Sequence, residues 1–582
     1  MPDLVIGGRR AGVPRPWRSG VIAIAMLGVA VVVAWFIYRR SVAYDMPPGE
    51  VQGEIAAAPV APGAPAALMY GNASLAWLGG VAVLRVAGDA HAIGAAHGRL
   101  LAPWLLPTVL AAAPSIAGTV SDDGMLGELT HGLRLAWRWR FIDDGLVEQD
   151  RRMVAGMTRG AAASGVVLSY DELLRAQAVL DVGAPSPRSD ETEQHVIAHS
   201  LTLIGSQAQA PARVWLGRTL ALPGLDDGGD SAIPVVTIAK PDRRDGRDGR
   251  DGRDGRDGRL AWAGVGWPGL LGVVTGINAE GIVVMVDPAR TIDVRVTRTA
   301  RPVALLARTV LEQARTLDDA IKLVESSATL GSAVIVVVDG TSGKWVQIER
   351  TPSKAIIERN PKSPALGDAL TTNALASDPE NDRARRMLPT HSRVERAAKL
   401  LHVPLGEVGA MAAILRDQRA ADESPRPPGH RGVINDGRAV QVVIIDPALL
   451  TLWVADPRAA GRLRAFDLRH ELRNEGDRAA PPADIAADPG VELDRAEGLA
   501  AARADLRNAR AALRAGDRGR AAEACARART RVPALPEAIE LDAIIAQARG
   551  DLAHARSAFQ TWLDAGPDDP HGEERARAAL AR

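Results

Sequence analysis

Apolar and polar positions along the chain change their pattern several times. Residues 20–38, GVIAIAMLGVAVVVAWFIY, form one uncharged run long enough to cross a bilayer as a helix. Residues 91–112 and 145–182 space their apolar positions as amphipathic helices do, so the start of the globular region, from Tyr70, reads as mostly helical. From about Val196 the apolar runs shorten and are punctuated by Gly and Pro. The runs VIAHSLTLIG, VWLGRTLAL, AIPVVTIAK, LAWAGVGW, GVVTGI and GIVVMV predict buried strands. Residues 302–328 return to helical spacing behind Pro302. SAVIVVVDG and KWVQIER then predict a hairpin around Gly340-Thr341-Ser342-Gly343, and VQVVIID with LLTLWVAD predicts another. Strands and helices sharing one core predict a layered α+β domain over residues 70–470.

The flanks read differently. A basic tail, 1–19, precedes the apolar run, and an Ala/Pro/Gly-rich linker, 39–69, follows it. Arg9, Arg10, Arg15 and Arg18 stand before the run, Arg39 and Arg40 after it, and Trp35 and Tyr38 sit at its far end. That balance predicts a single-pass signal anchor with the N-terminus inside and the main domain extracytoplasmic; a cleaved signal peptide is the alternative. Residues 243–259, RRDGRDGRDGRDGRDGR, contain no apolar residue, so they predict a disordered insertion between two strands. A second linker, 471–495, leads to a C-terminal segment, 496–582, in which landmarks recur. Gly516-Asp517 returns as Gly550-Asp551, Ala521 as Ala555, Cys525 as Phe559 and Pro536 as Pro570, each 34 residues on. This period resembles the tetratricopeptide repeat and predicts all-α hairpins that take a protein partner; a chance periodicity in an Ala/Arg-rich hairpin is the plainer alternative.

Composition narrows the chemistry. Lys+Arg and Asp+Glu both number 70, so the overall balance gives no reason to expect nucleic acid. Cys525 is the one cysteine and falls at a packing position in the repeat, which excludes intrachain disulfides and a cysteine metal site. His91 and His97 stand at i and i+6, a spacing that does not share a helix face. No metal and no cofactor are expected. The chain has no Gly-x-Ser-x-Gly elbow, P-loop or His-Glu-x-x-His.

Four segments carry more specific information. They are His91 to Leu101, with its spaced glycines; Leu216-Gly217-Arg218; Gly266-Trp267-Pro268-Gly269 through Thr275-Gly276-Ile277-Asn278-Ala279-Glu280-Gly281; and Thr371-Thr372-Asn373. In this order, the chain from about Val81 to Leu468 resembles the acyl-coenzyme A:6-aminopenicillanic acid acyltransferase family of autoproteolytic N-terminal nucleophile (Ntn) hydrolases. The resemblance implies a four-layer αββα sandwich and acyl transfer to or from an amine, on a small acyl or amide substrate. Such an enzyme cuts its own chain before a Cys, Ser or Thr, and the freed α-amine becomes the general base. Donors such as Asn hold the oxyanion. By resemblance, Asn278 and Asn373 furnish the polar site, Arg218 binds a carboxylate or fixes its strand, and Trp267 lines the substrate side.

Departures from the pattern stand at the most important positions. The family's cysteine falls within AHSLTL, Ala198 to Leu203, and no cysteine is there. Thr219 and Ala221 replace the family's Asn and Asp after Arg218, and Ala374 replaces the His after Asn373. Ser200 is the candidate nucleophile, Thr202 a weaker one, and His199 cannot perform the acyl shift. Without the resemblance, Ser200 is an ordinary strand serine, Asn278 a turn residue and Asn373 a loop cap. Two readings therefore stay open: an acyltransferase or amidohydrolase working through Ser200, or a catalytically inactive Ntn-fold scaffold whose helical repeat recruits a peptide.

Overall fold

The computed structural model describes residues 15–58, 67–117, 139–182, 199–207, 213–222, 233–242, 258–289, 299–359, 369–380, 390–401, 407–459, 461–475, 482–487, 493–566 and 570–581, with positions 133, 136, 137, 225, 291 and 382. The fold is mixed α/β with a helical C-terminal region. Helix α1 (Arg15–Val42) carries the apolar run, and its described apolar side chains are largely exposed, as Phe36 is at 71%. The chain after it lies along the domain: Tyr44 donates to the Trp139 carbonyl at 2.6 Å and Arg159 to that of Pro47 at 2.6 Å.

Strands come earlier than the apolar spacing predicts. β1 (Ala56–Ala57) and β2 (Ala67–Tyr70) fall in the stretch expected as a linker, and β3 (Ala73–Leu78) and β4 (Val81–Gly88) in the one expected to be mostly helical. The Gly79-Gly80 pair makes the tight β3–β4 turn, Gly79 at φ 63°, and β3 alternates buried with half-buried positions over Ala73–Ala76. Next come α2 (Ala90–Leu100), α3 (Ala102–Ala117), α4 (Glu148–Ala163), α5 (Tyr170–Ala176) and α6 (Val179–Val182). The spaced glycines of α2 have a physical reason. A Cβ on Gly94 would lie 1.9 Å from the Met153 carbonyl oxygen, and one on Gly160 would lie 2.3 Å from that of Ala95, so α2 and α4 cross backbone against backbone.

Strands β5 (His199–Gln207), β6 (Arg213–Ala221), β7 (Val235–Pro241), β8 (Trp262–Gly266), β9 (Thr275–Asn278) and β10 (Ile282–Ala289) follow the expected runs. β7 and β8 pair antiparallel, so the Arg-Asp-Gly run joins neighbouring strands; residues 243–257 themselves lie outside the described residues. The single helix expected over 302–328 is two, α7 (Val303–Gln313) and α8 (Leu317–Ser326). Thr316 and Asp319 form a capping box that starts α8 afresh. Then come β11 (Ser332–Asp339), β12 (Lys344–Arg350), β13 (Ala355–Arg359), β14 (Ala369–Thr372), α9 (Thr390–Leu400), α10 (Val408–Leu415), β15 (Gln441–Asp446), β16 (Thr451–Ala455), β17 (Leu463–Asp467) and α11 (Arg469–Arg473).

Two sheets result. One has the order β1-β2-β3-β4-β7-β8-β9-β10-β11-β12-β13, and the other β14-β5-β6-β15-β16-β17. Strand alternation divides their side chains among three cores. Val83, Ile277, Val283 and Met285 of the large sheet pack against Ile204, Leu216, Val443 and Ile445 of the small one. Val284 and Val286, on the reverse face, pack under α2, α4, α5 and α7. Leu201, Leu203 and Trp215 of the small sheet pack under α9 and α10.

The C-terminal region is α12 (Leu493–Arg514), α13 (Arg518–Arg531), α14 (Pro536–Arg549), α15 (Leu552–Asp564) and α16 (Pro570–Ala581). The recurring landmarks hold equivalent places. Gly516 and Gly550 take φ of 76° and 81° just beyond α12 and α14. Asp517 and Asp551 cap α13 and α15, accepting from Arg520 N at 2.9 Å and His554 N at 3.1 Å. Cys525 and Phe559 are both buried.

Candidate active site

Near the β14 end of the small sheet, polar side chains replace apolar ones in the space between the sheets. Alternation explains which. On β5, Ile204 faces the large sheet, so Thr202 and Ser200 do too. On β6, Leu216 puts Arg218 on that face, and on β15, Val443 does the same for Gln441. Across the gap, Ile277 and Met285 bring Thr275 and Asp287 to the facing side. All six side chains are buried.

Arg218 and Asp287 join the two sheets by an ion pair at 2.9 Å, each with no solvent exposure. Arg218 also donates to Thr275 Oγ1 at 2.8 Å and to the carbonyls of Val274 and Val286. Burial pulls this guanidinium below its ordinary pKa, and the Asp287 carboxylate opposes that shift. Thr202 Oγ1 donates to Asp287 at 3.1 Å and Thr371 Oγ1 at 3.3 Å. Thr275 Oγ1 passes a hydrogen bond to Gln441 at 3.0 Å, and Gln441 Nε2 donates to the Val265 carbonyl at 2.7 Å. Arg218 is thus held by its own protein, and fixing its strand is the part of its expected role that these contacts serve.

Ser200 lies two residues from Thr202 on the same face, 3% exposed, and its hydroxyl has no hydrogen-bond partner among the described residues. Register brings Asn373 toward it. β14 pairs with β5 so that Thr371 is opposite Thr202 and Thr372 opposite Leu201. The fully buried Asn373 is the next residue after that pairing, where the chain leaves the strand at the Ser200 end of β5. The turn after Asn373 is anchored at several points. Leu375 N donates to Asp382 at 2.8 Å, and Ala376 N and Ser377 N donate to Glu349 at 2.7 and 3.0 Å. His199 pairs with Ala221 on β6, and its side chain lies outside the described residues.

Asn278 and Trp267 belong elsewhere. Asn278 Nδ2 donates to the carbonyls of Leu311 and Ala314 at 3.0 and 2.8 Å, at the C-terminal end of α7. Its Oδ1 accepts from Glu280 N and Ile282 N at 3.1 and 3.0 Å. Donor and acceptor are both engaged in closing a turn and a helix end. Trp267 packs in the core beneath the helices. Its turn is strapped there: Gly269 N donates to His97 Nε2 at 2.9 Å, and Gln177 bonds Gly269 O at 2.7 Å and Leu271 N at 2.8 Å. Sequence reasoning missed Asp287, Thr275, Thr371 and Gln441. Asp287 did leave a signal, as a lone acid closing the apolar strand IVVMVD.

The family model for acyl-coenzyme A:6-aminopenicillanic acid acyl-transferase matches residues 259–424. The resemblance read from the sequence holds there. The matched stretch contains Asp287, Asn278 and Asn373 and stops short of Ser200, Arg218 and Gln441. No curated protein matches the chain. Among solved structures, a Caenorhabditis elegans ortholog of N-acylethanolamine-hydrolyzing acid amidase is 15% identical, with a TM-score of 0.29, covering 43% of this chain and 93% of its own. A mutant conjugated bile acid hydrolase from Clostridium perfringens is 11% identical, with a TM-score of 0.27, covering 47% of this chain and 93% of its own.

Proposed function

We propose that this chain is a membrane-anchored acyltransferase or amidohydrolase of the Ntn type, built as a four-layer αββα sandwich, with Ser200 as nucleophile. The observation that carries this reading is the Ser200 hydroxyl: buried, without a partner among the described residues, and on the face that holds Arg218 and Asp287. A buried hydroxyl left unbonded is costly, and a reacting group is one reason to retain it. Ser200 Oγ attacks the His199 carbonyl carbon and the peptide becomes an ester. Water hydrolyses that ester, releasing the Ser200 α-amine as general base. The same hydroxyl then attacks an amide or thioester carbonyl. Asn373 donates to the oxyanion, the leaving amine or thiol takes the proton, and a second amine or water accepts the acyl group. Asp287, from the facing sheet, supplies the carboxylate that Ala221 lacks and keeps Arg218 and Thr202 in place as a positioning residue.

The second reading, an inactive Ntn-fold scaffold, is favoured by Ala221 and Ala374 standing where the family has Asp and His. One experiment separates the two. The detergent-solubilised chain is weighed intact and treated with a serine-directed fluorophosphonate, beside Ser200→Ala. Cleavage before Ser200, or adduct formation on it, supports the enzyme. An uncut, unlabelled chain leaves the scaffold.

The apolar α1 and the arginine balance around it support a single-pass anchor with the main domain extracytoplasmic. A reporter fused to the C-terminus that is active only in the cytoplasm would reverse this orientation. The equivalent caps and turns of α12 to α15 support tetratricopeptide-like hairpins.

A further inference from the structure

The helical region is joined to the main domain through buried charge. The loop between α10 and β15 carries Gly429, His430, Arg431, Gly437 and Arg438. Arg438 donates to Glu537 at the start of α14 and to the Gly429 carbonyl at 3.3 Å. Arg510 of α12 reaches the other Glu537 oxygen at 3.4 Å. Arg503 of α12 donates to the carbonyls of Gly437 at 2.6 Å and Asp436 at 3.1 Å. His430 Nδ1 accepts from Gly432 N at 3.0 Å, so its Nε2 carries the proton and donates to the Gly566 carbonyl at 2.5 Å.

The fit is close as well as charged. Gly429 and Gly437 take φ of 80° and 72°, and a Cβ on either would lie 2.6 Å from Leu535 or 2.9 Å from Leu499. Burial alone would raise the Glu537 carboxyl. The guanidinium groups of Arg438, Arg431, Arg510 and Arg503 overrule it and hold it well below the usual range. A carboxylate this deeply buried is tolerable only with such partners, and part of that set comes from the loop.

The loop leads directly into the site wall. Val440 N donates to the Leu220 carbonyl at 2.7 Å, Gln441 pairs with Leu220, and Leu220 pairs with Ser200. We propose that the surface formed by α12, the start of α14 and the end of α15 is a recognition surface for an arginine-bearing glycine turn, and that its ligand is this chain's own 429–438 loop. Filled in cis, the helical region clamps β15 and so holds the strand array around Ser200. Its consequence for chemistry rests on the Ser200 reading above; the clamp itself does not.

Hydrogen exchange on the full solubilised chain tests it, with wild type, Glu537→Gln, Glu537→Ala and the exposed-face control Glu523→Ala. The expected result is at least about ten-fold faster exchange over 429–446 in Glu537→Ala, a smaller increase in Glu537→Gln, and wild-type protection in α2 and α4 throughout. Should Glu537→Ala unfold, Glu537→Gln decides alone. Wild-type protection over 429–446, or faster exchange confined to 493–581, overturns the clamp. Serine labelling on the same variants separates the two readings. Faster exchange in a chain that never labels Ser200 leaves the clamp standing and sinks the nucleophile; unchanged exchange in a chain that does label does the reverse.

Discussion

The strand pair β9–β10 carries polar side chains on both faces and uses them in opposite ways. Toward the helices, Asn278 engages its carbonyl and its amide, two hydrogen bonds each, to close a turn and a helix end. Toward the second sheet, Thr275 and Asp287 help hold a fully buried arginine beside a serine hydroxyl that has no partner among the described residues. Burying a polar group is unfavourable unless it is paired. The first face meets that condition and reads as architecture. Among the described residues the second leaves the Ser200 hydroxyl and Arg218 Nε outside it, and of the two only the hydroxyl is a nucleophile, which is why the proposed chemistry centres there.

Asp287 is the most costly residue of either face to lose. Asp287→Ala strands the Arg218 charge between the sheets and is expected to destabilise the protein by about 3–5 kcal/mol. Asp287→Asn keeps hydrogen bonding and costs less. Urea unfolding of the two variants measures the difference, and equal stability of Asp287→Ala and wild type would show that the pair holds nothing. On the other face, Asn278→Ala removes four hydrogen bonds, two at the end of α7 and two in the β9–β10 turn. A loss of about 1–3 kcal/mol is expected, with the rate of Ser200 labelling unchanged in the folded protein. A selective loss of labelling at wild-type stability would move Asn278 into the site after all.

His97 sharpens the helix side by pH. Burial lowers its pKa to about 4, and its ring accepts from Gly269 N. Folded and neutral, it binds fewer protons than the unfolded chain between its ordinary 6.5 and about 4. Its contribution is therefore present above pH 6.5 and lost as pH falls to about 4, a change of roughly 3 kcal/mol. His97→Gln keeps an acceptor and does not titrate, so the stability difference between wild type and variant should narrow as pH falls through this window. A difference independent of pH would mean that His97 titrates in the fold as it does in the unfolded chain.

Much of this architecture could be read from the chain because buried strands write themselves as short apolar runs. β5 to β12, β15 and β16 were legible in that way. β2 to β4 were not: β2 lies within the Ala/Pro-rich stretch that reads as a linker, and for β3 and β4 only Gly79-Gly80 betrays the hairpin. The break between α7 and α8 was present in Thr316 and Asp319, a capping box passed over in favour of continuous apolar spacing. Half of the candidate site was legible too, because Ser200, Arg218 and Asn373 lie in recognisable segments. Asp287 was not, since its partner sits on the other sheet and nothing local ties them together. Asn278 lies within a recognisable motif, yet strand alternation turns it toward α7.

The most direct test of the central claim is mass measurement of the solubilised full chain before and after fluorophosphonate, beside Ser200→Ala. A working Ser200 nucleophile gives a new N-terminus at Ser200 or an adduct on it, absent from the variant. An uncut wild-type chain that takes no label, at the stability of the variant, would contradict it.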